Sequence, residues 1–146
     1  MANIFIVEDD NLSVSYISKL LLAAGHLVSS AGSVTEARDV LAREEAFSLL
    51  VLDYHLGTES GLKLLTEIRR SDRYQTLPVI VCSGDTKPIV VKEFLSLGIA
   101  GFIAKPFITK RLIREIERVL DLGQHRPAEQ AQSPSPIRPA QPSLPP

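Results

Sequence analysis

Three carboxylates follow one another at Glu8, Asp9 and Asp10, directly after the apolar run Ile4–Val7. Further polar groups close three later apolar runs: Asp53 ends SLLVLD, Ser83 ends PVIVCS and Lys105 ends GFIAK. Two carboxylates about 4 Å apart repel by on the order of 4 kcal/mol at an effective dielectric near 20. Glu8, Asp9 and Asp53 are therefore poor neighbours unless a cation lies among them. An all-oxygen ligand set that leaves room for water and phosphate oxygens suits Mg²⁺. The chain offers no Cys/His cluster of the kind that holds structural zinc. Beside such an ion, Asp53 can act as a nucleophile and form an acyl phosphate. Mg²⁺ and Lys105 would cancel the repulsion between nucleophile and phosphoryl group, while Ser83 and nearby backbone N–H groups bind a remaining oxygen. Asp10 reads better as the cap of the helix that follows.

For these groups to meet, the apolar runs must lie side by side. IFIV, SLLVLD, PVIVCS and GFIAK are nearly continuously apolar at their centres, as strands buried on both faces of a parallel sheet are. HLVSSA is more polar and reads as an edge strand. Helix-length amphipathic stretches alternate with them. LSVSYISKLLLAAG ends at Gly25, suited to a left-handed cap. Ser33 and Glu36 form a capping-box pattern ahead of SVTEARDVLAREE. SGLKLLTEIRRSD follows the third strand, and Pro88 stands near the start of TKPIVVKEFLSLG, where its missing donor does little harm. TKRLIREIERVLDLG carries Leu112, Ile113, Ile116, Val119 and Leu120 on one stripe. Five β-α units with short, right-handed connections predict an α/β, doubly wound parallel sheet with helices on both faces. In that architecture a ligand site lies beyond the carboxyl ends of the strands, where the winding direction reverses.

Composition bounds the rest. The 146 residues are 45% hydrophobic and 23% charged, with a formal net charge of −1. That is the profile of a soluble globular domain, without the concentrated basic patch of a nucleic-acid or membrane surface. One cysteine, Cys82, excludes an internal disulfide and fits a reducing compartment. No signal peptide and no membrane-length apolar run is evident, so a cytoplasmic location is expected. Seven of the ten prolines fall after Gly123. Residues 1–122 are therefore expected to be the folded domain, and residues 123–146 a disordered or partly polyproline tail or linker. Cys82 is expected to be a buried thiol rather than a redox sensor. His26 is expected to open a strand, and His125 belongs to the tail.

Taken together, IVEDD, VLDYHLGTESG, VCSGD and GFIAKPF closely resemble the receiver domain of two-component response regulators, over essentially all of residues 1–122. The resemblance implies a flavodoxin-like fold with five strands in the order 2-1-3-4-5 and five helices. It implies that Asp53 is the phosphoacceptor, modified to 4-aspartylphosphate. It further implies a Mg²⁺ site from Asp9, Glu8 (often through water), Asp53 and the backbone carbonyl of His55. Ser83 is implied as the switch hydroxyl, Lys105 as the conserved-type ammonium followed by a cis bond to Pro106, and Phe102 as the aromatic that turns on activation. Two departures stand out: Gly57 occupies a position where the family commonly has proline, which points to a more mobile loop, and Ser83 replaces the commoner threonine.

The resulting expectation is a signalling domain rather than an enzyme with turnover. A sensor histidine kinase or histidine phosphotransfer protein would donate the phosphoryl group, and a protein surface would change in response. No helix-turn-helix or other output domain is seen after Leu122, which favours a stand-alone receiver with a protein target; a phosphorelay intermediate and a fragment of a larger regulator are the alternatives. Homodimerisation through the last helix and fifth strand is compatible with the sequence. A flavin-binding flavodoxin-like module is disfavoured because three acids occupy its phosphate cradle. An aspartyl-phosphate phosphatase is disfavoured because the D-x-D pattern and a cap region are missing.

Overall fold

A computed structural model describes residues 1–124. The strands are β1 (Asn3–Val7), β2 (Leu27–Ala31), β3 (Leu49–Asp53), β4 (His55–Leu56), β5 (Glu59–Ser60), β6 (Val79–Ser83) and β7 (Gly101–Ala104). The helices are α1 (Asn11–Ala23), α2 (Val34–Ala42), α3 (Gly61–Arg70), α4 (Pro88–Ser96) and α5 (Thr109–Gln124). Five strands form one parallel sheet in the order β2-β1-β3-β6-β7. Counting only those long strands, this is the order 2-1-3-4-5, and the flavodoxin-like fold is the one expected. The expected tail lies outside the described residues from His125 onward; α5 itself continues through Gln124.

Alternating residues of the central strands serve two cores. Phe5, Val7, Leu50, Leu52, Val79 and Val81 pack with side chains of α2, α3 and α4. Ile4, Ile6, Leu49, Val51, Ile80 and Cys82 pack with Ile17 and Leu21 of α1 and with Leu112, Ile116 and Val119 of α5. Every residue of β3 and β6 is buried, which accounts for their unbroken apolar sequences. The sheet has two edges: the more polar β2, as its composition predicts, and β7. The apolar run of β7 predicts burial on both faces, but only Ile103 is buried, because no strand pairs with its outer side.

Local sequence places the helix ends. Asp10 caps α1, its carboxylate accepting from Leu12 N–H. At the other end Gly25 adopts φ +93°, and the N–H groups of Gly25 and His26 donate to the carbonyls of Leu22 and Leu21. This is a Schellman motif, and it uses glycine for its left-handed residue. Ser33 caps α2 by accepting from Glu36 N–H, whereas the Glu36 carboxylate reaches past Ser33 to the N–H of Gly32 at 2.7 Å. The capping box is thus displaced by one residue on its return arm. His26, just ahead of β2, accepts from Ala2 N–H at Nδ1 and pairs with Glu117 through Nε2. No described helix is long and apolar enough to cross a membrane.

The short hairpin β4–β5 has no counterpart in the sequence-based expectation. Gly57 and Thr58 form its two-residue turn, with Gly57 at φ +65°. Glycine with positive φ at the first turn position is what a tight type II′ hairpin requires. Behind the hairpin, Gly61 opens α3 directly against β3; a Cβ there would collide with the Asp53 carbonyl oxygen. Gly61 also donates its N–H to Tyr54 O at 2.7 Å.

Two consequences can be measured. Gly61→Ala should lower the unfolding free energy by roughly 2 kcal/mol, since backbone faces the new methyl group and cannot turn aside as a side chain would; a denaturant midpoint equal to wild type would contradict this. Burial pushes the Cys82 thiol up to about 12, with Asp53 and Glu8 adding to it and Lys105 opposing. Native protein at pH 8 should therefore leave an aromatic disulfide reagent unreacted over minutes, and denatured protein should react at one thiol per chain.

Candidate functional site

Parallel pairing brings the polar strand ends to one edge. Val7 stands opposite Leu52, Asp53 opposite Cys82, and Ser83 opposite Ala104. The backbone ladder runs one residue beyond the strands: Glu8 N–H donates to Ala31 O, Tyr54 N–H to Cys82 O and Lys105 N–H to Ser83 O. Glu8, Asp53, Ser83 and Lys105 thus start from fixed backbone rather than from free loops. The Lys105–Pro106 bond is cis, in agreement with the resemblance.

Lys105 is the cation of the cluster. Its Nζ donates to Asp53 Oδ2 at 3.0 Å and to Glu8 Oε1 at 3.1 Å. Asp53 is 5% exposed, and its Oδ1 accepts no hydrogen bond among the described residues. Burial pulls the Lys105 ammonium down, but its hydrogen bond and attraction to Asp53, followed by those to Glu8, outweigh this and hold it above its ordinary value. Glu8 moves the other way for a carboxylate. Burial, then repulsion from Asp53, push it to about 7, although Asp10 N–H and Lys105 both favour its ionised form. One ammonium is shared between two acids: their attraction raises Lys105, while burial first and the Asp53 charge second raise Glu8.

Asp9 completes an all-carboxylate group. One oxygen each from Glu8, Asp9 and Asp53 lie within 4.8 Å of one another. Around an octahedral Mg²⁺ neighbouring ligand oxygens are about 3.0 Å apart and opposite ones about 4.2 Å at the usual bond lengths, so the three side chains would have to draw closer to enclose a hard cation. The donor chemistry fits: hard oxygens, surplus negative charge, and no sulfur or imidazole among these three ligands. The cluster could bind a metal ion.

Other expected residues are placed differently. Ser83 is fully buried next to Asp53 in the sheet, yet its hydroxyl does not bond to Asp53 or Lys105. It donates to Asp85 O and accepts from Asp85 N–H, each at 2.9 Å. The Asp85 carboxylate in turn holds Lys87, accepting from both its N–H and its Nζ. Phe102 is half-buried against the α2–α4 core, its ring 6.0 Å from that of Phe94. Phe94 meets Tyr54 edge-on at 5.4 Å, so an aromatic path leads from Phe102 to the residue after Asp53. His55 is exposed in β4 and its ring lies 4.6 Å from that of Tyr54.

One contact was not anticipated. Gly57 N–H donates to Asp9 Oδ2 at 3.1 Å, joining the hairpin turn to the acidic cluster. A pattern of two strand-like residues, Gly-Thr and two more is too short to stand out from a loop. The turn chemistry of Gly57 was the one available signal.

Known proteins share this sequence pattern and fold. The family profile of the response regulator receiver domain matches residues 4–117. A chemotaxis protein CheY homolog of Campylobacter jejuni is 28% identical over 121 residues, covering 82% of this chain and 93% of that protein. The response regulator protein FleR of Pseudomonas aeruginosa is 34% identical over 139 residues, covering 95% of this chain but 28% of that longer protein. Among solved structures, the non-phosphorylated HemR receiver domain from Leptospira biflexa superposes with a TM-score of 0.78 at 31% identity, covering 87% of this chain and 98% of that one. The chemotaxis response regulator CheY4 of Vibrio cholerae gives 0.73 at 25% identity, covering 82% and 98%. With the match running through every strand of the sheet, the chain belongs to the response regulator receiver domains of two-component signalling.

Proposed function

We propose that this receiver is a phosphoacceptor in which Asp53 takes a phosphoryl group from a phosphohistidine, presented by a sensor histidine kinase or a histidine phosphotransfer protein. Glu8, Asp9, Asp53 and the backbone carbonyl of His55 would hold Mg²⁺. The observation that carries the reading is Asp53 itself: a nearly buried carboxylate bound through one oxygen to Lys105, inside a cluster of acids with surplus negative charge.

When bound, Mg²⁺ supplies charge neutralisation to the phosphoryl oxygens and the attacking carboxylate. Lys105 holds Oδ2 of Asp53 and leaves Oδ1 free of protein donors, so one carboxylate oxygen is oriented while the other can reach phosphorus. As the new O–P bond forms, the P–N bond of the donor breaks. The imidazole nitrogen keeps that electron pair and takes up a proton. Lys105 then shares its hydrogens with the phosphoryl oxygens, and Ser83 contributes its hydroxyl after leaving Asp85. Both contacts favour one conformation over another and shift an existing equilibrium. Phe102, on β7 and packed near Phe94 of α4, would carry the change to the surface made by α4, β7 and α5. A protein target reading that surface is the output, so the domain signals rather than turns over substrate. A stand-alone role and a phosphorelay role share this chemistry and differ in the next acceptor.

Incubation with a radiolabelled small acyl phosphate and Mg²⁺ should give one phosphoryl group per chain that is labile to acid and base and released by hydroxylamine, as acyl phosphates are. Asp53→Ala should remove it; label persisting on that variant would overturn the assignment. Lys105→Ala should keep the stoichiometry but slow labelling roughly a hundredfold, as loss of a preorganised charge-stabilising donor does. An unchanged labelling rate would show that Lys105 does not act on the reacting phosphoryl group.

A further inference from the structure

The Asp9 side chain is exposed and accepts one hydrogen bond among the described residues, from Gly57 N–H. Gly57 is the first residue of the β4–β5 turn, flanked by the pairs His55–Ser60 and Leu56–Glu59. Its φ of +65° lies in the left-handed region that favours glycine. A proline here would have no N–H to donate and would hold φ near −65°. The donor is therefore specific to a chain that places a residue with a free amide at this turn.

We infer that the Gly57 N–H is a positioning donor for cation binding: it fixes the Asp9 carboxylate on the Glu8–Asp53 side of the hairpin and so raises the affinity of the cluster for Mg²⁺. The physical basis is the loss of freedom that an exposed aspartate must otherwise undergo when it ligates an ion. A backbone donor on Oδ2 orients the carboxylate in advance, stabilises its charge and leaves lone pairs for the metal. The second effect is mechanical. Because the donor belongs to the hairpin rather than to β1, ligation by Asp9 also ties the loop after Asp53 to the first strand. The inference rests on the metal site proposed above but concerns how tightly that site binds, not whether it exists.

The test compares wild type, Gly57→Asn and Gly57→Pro, titrated with Mg²⁺ while backbone amide resonances are followed by NMR. Asparagine keeps the N–H and is among the residues most tolerant of positive φ; proline removes the N–H. Thermal unfolding verifies that each variant is folded. Wild type and Gly57→Asn should bind within about twofold of each other, and Gly57→Pro about tenfold more weakly, the lower range for loss of a group supporting a metal ligand. Labelling of Gly57→Pro by a small acyl phosphate should return to the wild-type rate at saturating Mg²⁺, because the donor acts only through cation binding. Equal affinity of the proline variant, equal weakening of the asparagine variant, or a labelling defect that saturating Mg²⁺ leaves in place would each overturn the inference. Wild-type protein that binds no Mg²⁺ at all would overturn it together with the metal-site reading, whereas the other outcomes leave that reading standing.

Discussion

Three carboxylates and one ammonium share the carboxyl edge of the sheet, and this imbalance of charge governs the rest of the site. Lys105 satisfies Asp53 first and Glu8 second, and the burial of Glu8 leaves it pushed to about 7. A raised carboxyl favours the folded chain below its ordinary value of 4.5, and that contribution is lost as pH rises through about 7. Near neutrality the cluster is thus balanced between taking a proton on Glu8 and keeping an uncompensated charge. A divalent cation relieves the same repulsion without the proton. The acids that make the apo cluster costly are for that reason the ones that make a hard cation welcome.

Such a cluster persists only where the backbone cannot relax away from it. The inner strands β1, β3 and β6, buried on both faces, supply that rigidity, because moving the end of any of them would disturb two cores at once. Gly61 adds a second constraint: α3 begins so close to β3 that the Asp53 carbonyl leaves no room for a side chain there. The chain is thus held directly before and shortly after Asp53. The hairpin between them is the one part of the loop free to be shaped, and its turn carries the donor that reaches Asp9.

Most of this architecture could be read from sequence because it rests on strong periodic signals. Continuous apolar runs identified the inner strands β1, β3 and β6 but did not separate them from β7, an edge strand with only Ile103 buried. The polar HLVSSA marked the other edge, and Gly25, Ser33 and Pro88 marked helix ends for reasons of backbone geometry. The convergence of Glu8, Asp9, Asp53 and Lys105 followed once those strands were taken as parallel neighbours. The strand order itself came from resemblance, since composition and periodicity do not say which strands pair. What remained hidden depends on rotamers and short turns. The Ser83 hydroxyl is spent on Asp85, two residues away, and no pattern in VCSGD distinguishes that from a hydroxyl facing Asp53. The return arm of the capping box stops at Gly32 instead of Ser33 because a glutamate has several low-energy reaches. The β4–β5 hairpin is two residues to a strand, below the length at which alternation can be recognised.

The Ser83 geometry also limits how the proposed switch can work. A hydroxyl has one proton to donate, and here it goes to the Asp85 carbonyl. Donating to a phosphoryl oxygen instead exchanges a neutral acceptor for a charged one. Hydrogen bonds to charged groups contribute about 1.5–3 kcal/mol against about 0.5–1.5 for neutral pairs, so exchanging the donated bond gains at most roughly 1 kcal/mol. Leaving Asp85 also gives up the bond that Ser83 accepts from Asp85 N–H. Moving a two-state equilibrium from 1:99 to 99:1 needs about 5.5 kcal/mol. Ser83 alone therefore cannot throw the switch fully. In the proposed switch Lys105 would supply part of the difference by sharing its hydrogens among Asp53, Glu8 and the phosphoryl group, and a change in the packing of Phe102 against Phe94 would supply more. On this reading the response is a sum of several modest preferences. A receiver built this way is graded by its surroundings: a target that favours the active packing shifts the same equilibrium as the phosphoryl group does, and each makes the other bind or persist better.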